Sequence, residues 1–590
     1  MSVLPAFIVL TQLAGPVTAP SATGSDRQFE SLARRYVDEF PALSPVYATE
    51  LGDHRYDSQL DEVSEAERRR ERAFCNGNLE QLQQINVAEL SRANQIDYAL
   101  LEQHLHGELW RLDALQEWAW NPLSYTSLSG GSIYGLMARE FAPLEKRLIC
   151  VTDRLEQFPR LFRQIRSALA PERVPKIHAE TAVKQNRGVL SILDNMVKPH
   201  LSELHEAERT RLQRAMGIAR EAVEKHQQWL EKELLPNAAG DFRIGAERYD
   251  EKLPFTLKTR LTRQQIRQRA ENELRRVRDE MYDLSRRVYQ ERHSYTDFPE
   301  SPSPAYKQAI IRAALEIAYE ETPEPDAIVE MAKRSLTLAA DFVREKDLLT
   351  LPPDPIEIIV MPEFQRGVAL AYCDSPGPLD IGQKTFYAVA PPPENWTEKQ
   401  LQSFLREYNV RSIHDLTIHE AMPGHFVQLA HANRYPGRLR AVLSSGVFIE
   451  GWAVYAEQMM ADQGFLDGDP LMTLIARKWY LRGIANAMID QAIHTEGMTR
   501  DEAMRIMMED TFQEEREAAA KWVRAQLTST QLATYFVGYL EHVDLRRDVK
   551  RSAGDHFDLK TYHDKLLSFG SPPVQYVRAM MLDQEIPSLK

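Results

Sequence analysis

The chain has 590 residues, of which 43% are hydrophobic and 27% are charged, and its formal net charge is −14. This composition excludes a disordered chain and a multi-span membrane protein, and the negative charge without a basic face argues against nucleic-acid binding. The three cysteines, Cys75, Cys150 and Cys373, lie far apart and form no CxxC pair, so the ligands of any metal have to be His and carboxylate.

The N-terminal residues share some features with export signals. Residues 1–13 are apolar, and Val17-Thr18-Ala19 has small residues at the spacing of a signal-peptidase site. Against this, no Lys or Arg precedes the apolar stretch, and Pro20 would follow the cut. Residues 1–25 are therefore predicted to be either a signal peptide, which would make the protein periplasmic or secreted, or a disordered tail of a cytoplasmic protein. No later apolar run approaches the roughly 20 residues that a membrane span needs.

The rest of the chain reads as two helical regions with a short β element between them. From residue 26 to about 347, apolar residues recur three and four positions apart, as amphipathic helices require. The prolines of residues 351–355 end this pattern, and two β-type runs follow at 356–361 and 384–390, joined by a loop. Helical periodicity returns near residue 397. We therefore expect a predominantly all-α fold, divided into 26–350 and 351–590, with a small β hairpin or edge element.

One segment, His419-Glu420-Ala-Met-Pro423-Gly424-His425, carries the residue types of a metal site. Its start resembles the HExxH zinc signature, in which two His one helical turn apart bind the metal and Glu is the general base. Here the second His comes two residues later, about 120° away from the first on a regular helix. Pro423 has no N–H to donate, and Gly424 tolerates unusual torsions, so the sequence predicts a helix break that returns His425 to His419.

A downstream carboxylate completes the predicted ligand set. Glu450 lies 25 positions after His425, and a Glu on a following helix at about that distance is the third ligand of gluzincin zinc sites. Glu457 follows about two helical turns later and could either orient a ligand or be the ligand itself. The other His-Glu pair, His205-Glu206, has no His four to six residues on and is predicted to lie on a helix surface.

The segments HEAMPGHFVQ, EGWAVYAEQM and FDLKTYHDKLLSFGSPPV together resemble the bacterial "domain of unknown function 885" family. That family resembles, at a distance, the thimet-oligopeptidase and carboxypeptidase Taq groups of helical zinc peptidases. The resemblance extends from about residue 45 to the end of the chain. It implies a two-lobed helical body with a deep channel, a catalytic lobe over 351–590, and a β element beside the active-site helix. It also supports His419, His425 and Glu450 as ligands of one zinc ion and Glu420 as the base.

Five further residues match family positions with less certain roles. Tyr535 or Tyr539 could stabilise an oxyanion, or either could be a core tyrosine. His494 and Arg546 could hold a substrate carboxylate or close a hydrogen-bond network, and Tyr372, in the loop before the second β run, could line the channel.

The sequence thus predicts a zinc-dependent hydrolase of peptide bonds, and the resemblance implies that its substrates are short peptides. The run at 384–390 could pair with an extended substrate by strand addition. Two departures from the family pattern, Lys521 in place of an acidic residue and Ser529 in place of a proline, affect the expected substrate more than the metal. Two alternatives stay open: a metal-dependent hydrolase of a non-peptide amide, and a helical binding protein that has lost metal and activity.

Overall fold

Helices account for most of the fold, as the sequence predicts. The computed structural model describes residues 23–294, 296–361, 370–393 and 395–589, so the predicted signal peptide lies almost wholly outside the described residues. Within the described part, no helix combines the length and apolar character needed to cross a membrane.

The described residues of the first region form fourteen α-helices. They are α1 (Gly24–Glu39), α2 (Pro45–Glu50), α3 (Glu65–Leu82), α4 (Arg92–Trp110), α5 (Pro122–Met137), α6 (Leu144–Ala168), α7 (Lys176–Gln185), α8 (Gly188–Ile192), α9 (Glu206–Trp229), α10 (Leu235–Asn237), α11 (Gly245–Leu257), α12 (Arg263–Arg292), α13 (Pro304–Tyr319) and α14 (Ile328–Glu345). Helix α12 shows how the sequence selects these elements. Thr262 caps its start through a reciprocal bond with Gln265, and the buried residues Ile266, Ala270 and Val277 recur at helical spacing.

After residue 350, the described residues form three strands and eleven α-helices. They are β1 (Ile356–Val360), β2 (Ala371–Asp374), β3 (Thr385–Val389), α15 (Glu398–Glu407), α16 (Val410–Glu420), α17 (His425–Ala432), α18 (Arg438–Val442), α19 (Gly446–Asp462), α20 (Pro470–Thr495), α21 (Arg500–Arg505), α22 (Glu515–Leu527), α23 (Thr534–Ala553), α24 (Leu559–Leu567) and α25 (Val574–Met581).

The strands form a mixed sheet that differs from the predicted hairpin in one respect. The two predicted runs are β1 and β3, and they pair in parallel, with Ile356 opposite Thr385. The segment predicted as a loop contains β2, which carries Tyr372 and pairs antiparallel with β3. Because β3 is the central strand, both of its edges are used within the sheet. The expectation that 384–390 pairs with a substrate is therefore wrong, whereas β2 lies at an edge and packs beside α16.

Buried apolar side chains from distant parts of the chain pack together. One cluster joins α11, α12 and α13 to α19, α20 and α23. Another joins α14 and the sheet to the helices after residue 397. A third lies mainly among α5, α6 and α9. The division at residue 350 stays a prediction, and the first two of these clusters draw on residues from both sides of it.

Candidate metal site

A helix break brings His425 next to His419. Helix α16 ends at Glu420 and α17 begins at His425, and the turn between them contains a cis Met422–Pro423 peptide bond. The backbone N–H of Gly424 donates to the Ile418 carbonyl at 2.9 Å. A Cβ at Gly424 would lie 1.9 Å from the His419 carbonyl oxygen, so only glycine fits this turn. The two imidazole rings consequently meet edge to face, with centroids 4.7 Å apart.

Glu450 faces both imidazoles from the first half of α19. Its Oε2 lies 3.5 Å from His425 Nε2 and 3.7 Å from His419 Nε2. One ligand atom from each of the three residues falls within 4.8 Å of the others, and no comparable group of His, Cys, Asp or Glu occurs elsewhere in the described residues. Glu450 Oε2 is buried and makes no hydrogen bond. A buried carboxylate oxygen without a donor, facing two ring nitrogens, fits a bound cation.

Glu457 lies behind His419 rather than beside the two other ligand atoms. His419 Nδ1 and Glu457 Oε1 are 2.5 Å apart, and the Glu457 side chain is 3% exposed. The carboxylate accepts the Nδ1 proton, which leaves Nε2 of His419 directed at Glu450. Of the two roles left open by the sequence, the geometry thus favours Glu457 as the residue that orients His419.

The charges around His419 oppose the effect of burial. Burial disfavours the imidazolium, yet the neighbouring carboxylates of Glu450 and Glu457 raise the pKa of His419 well above its usual value. Burial likewise disfavours the Glu450 carboxylate, but His419 and His425 lower its pKa. One turn before His419, Asp415 is fully buried and neither of its oxygens has a hydrogen-bond partner. Burial and the nearby charge of Glu457 raise the pKa of Asp415 well above the usual range.

The three candidate ligands open into a cavity of about 550 Å³, here called the His419 cavity. Its walls come from β2 and from helices α16, α17, α19, α20, α22 and α23. Glu420, the predicted base, lines the cavity and is 8% exposed. Tyr372 lines it from β2, as the sequence predicts, although from a strand rather than a loop.

Tyr535 reaches the cavity because α19 and α23 pack very closely. A Cβ at Gly451 would lie 2.3 Å from the backbone of Gly538, so this helix pair needs glycine on both sides. The Tyr535 ring lies 6.4 Å from the His419 ring, and its hydroxyl accepts a hydrogen bond from Arg524 Nη2 at 3.2 Å. Burial and the charge of Glu450 raise the pKa of Tyr535. The phenol therefore keeps its proton and can donate it.

Three other residues predicted for the site, Tyr539, His494 and Arg546, do not line the His419 cavity of the described residues. Tyr539 packs against Tyr480, with ring centroids 4.3 Å apart. His494 Nε2 donates to the backbone carbonyls of Ala525 and Thr528, and Arg546 donates to the Tyr455 hydroxyl. These contacts are compatible with the hydrogen-bond network considered above, and the roles of His494 and Arg546 stay predictions.

The sequence analysis did not identify most of the polar residues on the opposite wall of the cavity, which α20 and α22 form. Arg482 and Asn486 lie one turn apart on α20, and Glu517, Lys521 and Arg524 lie on α22. The signal that could have identified Arg482 and Asn486 is their i, i+4 spacing within a helix whose other residues are largely buried. Glu517 and Lys521 repeat the same spacing on α22.

The chain is similar to solved structures, and two of them illustrate the likeness. A "putative lipoprotein of unknown function" from Shewanella oneidensis superposes with a TM-score of 0.78 at 33% sequence identity, covering 94% of this chain and 99% of that one. A protein of similar description from Colwellia psychrerythraea gives a TM-score of 0.75 at 18% identity, covering 95% and 99%, and at that identity shows the fold alone.

No curated protein matches the chain. The family model described as "Bacterial protein of unknown function (DUF885)" matches residues 45–581, which are most of the sequence. The chain therefore belongs to the DUF885 family.

Proposed function

We propose that the protein is a zinc-dependent hydrolase that cleaves peptide bonds of short peptides. The observation that carries this proposal is the convergence of His419 Nε2, His425 Nε2 and Glu450 Oε2 in a cavity that Glu420 also lines. Two imidazole nitrogens and one carboxylate oxygen are the donor set of catalytic zinc sites that keep a further position open. When bound there, zinc supplies a Lewis acid that polarises the substrate carbonyl and acidifies a water.

Glu420 acts as the general base in this proposal. It follows His419 in sequence, lines the same cavity and is largely shielded from solvent. The carboxylate takes a proton from the attacking water and returns it to the leaving amine, so the peptide bond breaks without a free hydroxide or amide anion.

Tyr535 acts on the carbonyl oxygen of the substrate. Because its hydroxyl accepts from Arg524, its own proton is available to donate to the negative charge that develops on that oxygen. Tyr539, which packs on Tyr480, has no part in this proposal.

The edge strand β2 positions the substrate. Leu370 and three β2 residues, Ala371, Tyr372 and Cys373, line the cavity, so an extended peptide can add to the side of β2 that pairs with no strand of the described residues. A cavity of about 550 Å³ accommodates a few residues of extended chain, which favours short peptides over folded proteins.

An extracytoplasmic location accompanies this function. The two structural neighbours carry lipoprotein names, and residues 1–25 of this chain have export-signal features. Fractionation of cells that express the full chain tests this location, and recovery in the cytoplasm alone would contradict it.

The deciding experiment combines metal content with hydrolysis by one variant. We expect about one zinc per chain in protein purified without chelator, and cleavage of members of a short-peptide library. Glu420→Gln removes only the base, so it should retain zinc and reduce kcat by about 10²- to 10⁴-fold.

Glu206→Gln is the matched control, because Glu206 also follows a His but lies exposed at the start of α9. It should leave kcat unchanged. Protein that takes up no metal on titration, or normal turnover by Glu420→Gln, would contradict the proposal. Cleavage of non-peptide amides alone would favour a different hydrolase on the same site.

A further inference from the structure

One wall of the His419 cavity is basic. Arg482 of α20 and Lys521 and Arg524 of α22 all line it, and these three residues are called the basic wall below. None of them takes part in the mechanism proposed above except through the bond from Arg524 to Tyr535.

The carboxylates that pair with the basic wall do not balance its charge. Glu517 pairs with Arg482 and lies 4.0 Å from Lys521, so one carboxylate serves two cations. Glu407 lies 3.6 Å from Arg482, but it is already bound at 2.8 Å by the buried Lys478. The wall therefore retains an excess of positive charge.

Arg524 and Lys521 carry this excess, because neither has a carboxylate closer than 4.0 Å among the described residues. The Nη2 of Arg524 donates to Tyr535 and Gln531, and no carboxylate of the described residues lies within 4.0 Å of its guanidinium. Lys521 makes no hydrogen bond within the described part of the chain and has no ion pair closer than the one with Glu517. Its side chain is only 8% exposed. A buried ammonium with so few partners is costly unless an anion reaches it.

The pKa of Lys521 agrees with this deficit of anions. Burial, together with the neighbouring Arg482, lowers it to about 7, although Glu517 acts in the opposite direction. The ammonium is thus not fully stabilised by the protein alone.

We propose that the basic wall binds a carboxylate of the substrate next to the scissile bond; this inference rests on the proposed peptidase function. Arg524 contacts Tyr535, and the Tyr535 ring faces His419, so the wall begins one side chain away from the candidate ligands. The carboxylate can come from the C-terminus of a peptide or from an acidic side chain. The first source makes the protein a carboxypeptidase-type exopeptidase, and the second makes it selective for acidic residues.

Binding to metal-free protein tests the basic wall separately from hydrolysis. We would measure the fluorescence anisotropy of N-terminally labelled pentapeptides in two matched pairs. One pair differs only in a free or amidated C-terminus, and the other, amidated throughout, carries Glu or Gln at one position. The carboxylate member of one pair should bind at least about tenfold more tightly than its neutral partner, as expected for one charge-assisted hydrogen bond.

Variants assign this preference to the wall. Lys521→Met removes a buried cation without creating an unpaired charge, so it should fold and reduce the preference by about tenfold. Lys521→Arg should keep it, and the double variant Lys521→Met/Arg524→Met should abolish it. Lys252→Gln is the control, because Lys252 is a half-buried lysine that also has a lowered pKa but bonds to Ser529 outside the cavity. It should leave the preference unchanged.

The outcomes separate this inference from the proposed function. No preference in either pair, or a preference that survives the double variant, overturns the carboxylate site. Peptide hydrolysis by the zinc-loaded protein without any preference overturns the carboxylate site and leaves the peptidase intact. A preference that depends on Lys521, in a protein that hydrolyses no peptide when loaded with zinc, supports the site and contradicts the peptidase.

Discussion

The same dipeptide occurs in two regions of this molecule with different surroundings. His205-Glu206 stands at the start of α9, where the His205 side chain is 85% exposed and the nearest carboxylate, Glu145, is 3.8 Å away. His419-Glu420 ends α16, where the His419 side chain is 13% exposed. Two carboxylates contact His419, one at each ring nitrogen. The dipeptide itself therefore indicates little, and the chemistry depends on what the fold places around it.

Two structural features distinguish the surroundings of His419-Glu420 from those of His205-Glu206. After Glu206, helix α9 continues without a break to Trp229, so no second His returns to the first. After Glu420, the turn at Gly424 redirects the chain, and α19 places the Glu450 carboxylate next to Nε2 of His419. A metal site thus requires the break and the third helix as well as the His-Glu pair.

The largest effect expected is loss of zinc on removal of either imidazole. His419→Ala and His425→Ala each delete one of three ligands, so zinc affinity should fall by more than about 100-fold, beyond what loss of an outer-shell partner costs. Calorimetric titration with zinc, together with the metal content of purified protein, measures this.

His205→Ala is the matched control in the other region and should bind zinc like the parent. If His425→Ala also binds zinc like the parent, the second ligand lies elsewhere and the assignment of the expanded motif is wrong.

Much of the fold could be predicted because its signals are local. The spacing of apolar residues and the cap at Thr262 define α12 within one stretch of sequence. The break between His419 and His425 is also encoded locally, by Pro423 and Gly424.

Other features could not be predicted because they depend on pairing between distant segments. The strand β2 is short and contains Asp374, and only its pairing with β3 and its packing beside α16 make it a strand. For the same reason, the sequence could not show that β3 is central. Tyr535 and Tyr539 lie one turn apart on α23, and only the packing of α19 and α20 against that helix separates the cavity residue from the core residue.

The second prediction concerns a substitution in the turn at Gly424 rather than the loss of a metal ligand. In Gly424→Ala, the added Cβ meets backbone atoms of Ile418 and His419 at 2.3 and 1.9 Å, so the turn has to open. We expect a loss of more than about 2 kcal/mol in the free energy of unfolding, together with weaker zinc binding, because His425 moves away from His419. Denaturant unfolding with and without zinc measures both effects.

Gly217→Ala is the control in the other region. Gly217 is exposed on α9, and a Cβ there meets nothing within 4 Å. Because alanine is the better helix former, this variant should gain about 0.5–1 kcal/mol. Equal effects of the two substitutions would mean that the turn at Gly424 does not hold the site together.

The smallest expected effect distinguishes the role of Glu457 from that of Glu450. Glu457→Gln keeps an oxygen that can accept the Nδ1 proton of His419 and removes only the charge, so zinc affinity should fall by about tenfold. Glu457→Ala also frees the ring of His419, so zinc affinity should fall by about 100-fold. Glu450→Ala deletes a metal ligand, so it should lower zinc affinity more than either Glu457 variant. Zinc titration of the three variants ranks them, and a greater loss in Glu457→Ala than in Glu450→Ala would exchange the two roles. Even in that case, one carboxylate lies at each ring nitrogen of His419, and the carboxylate at Nδ1 fixes the direction in which Nε2 points.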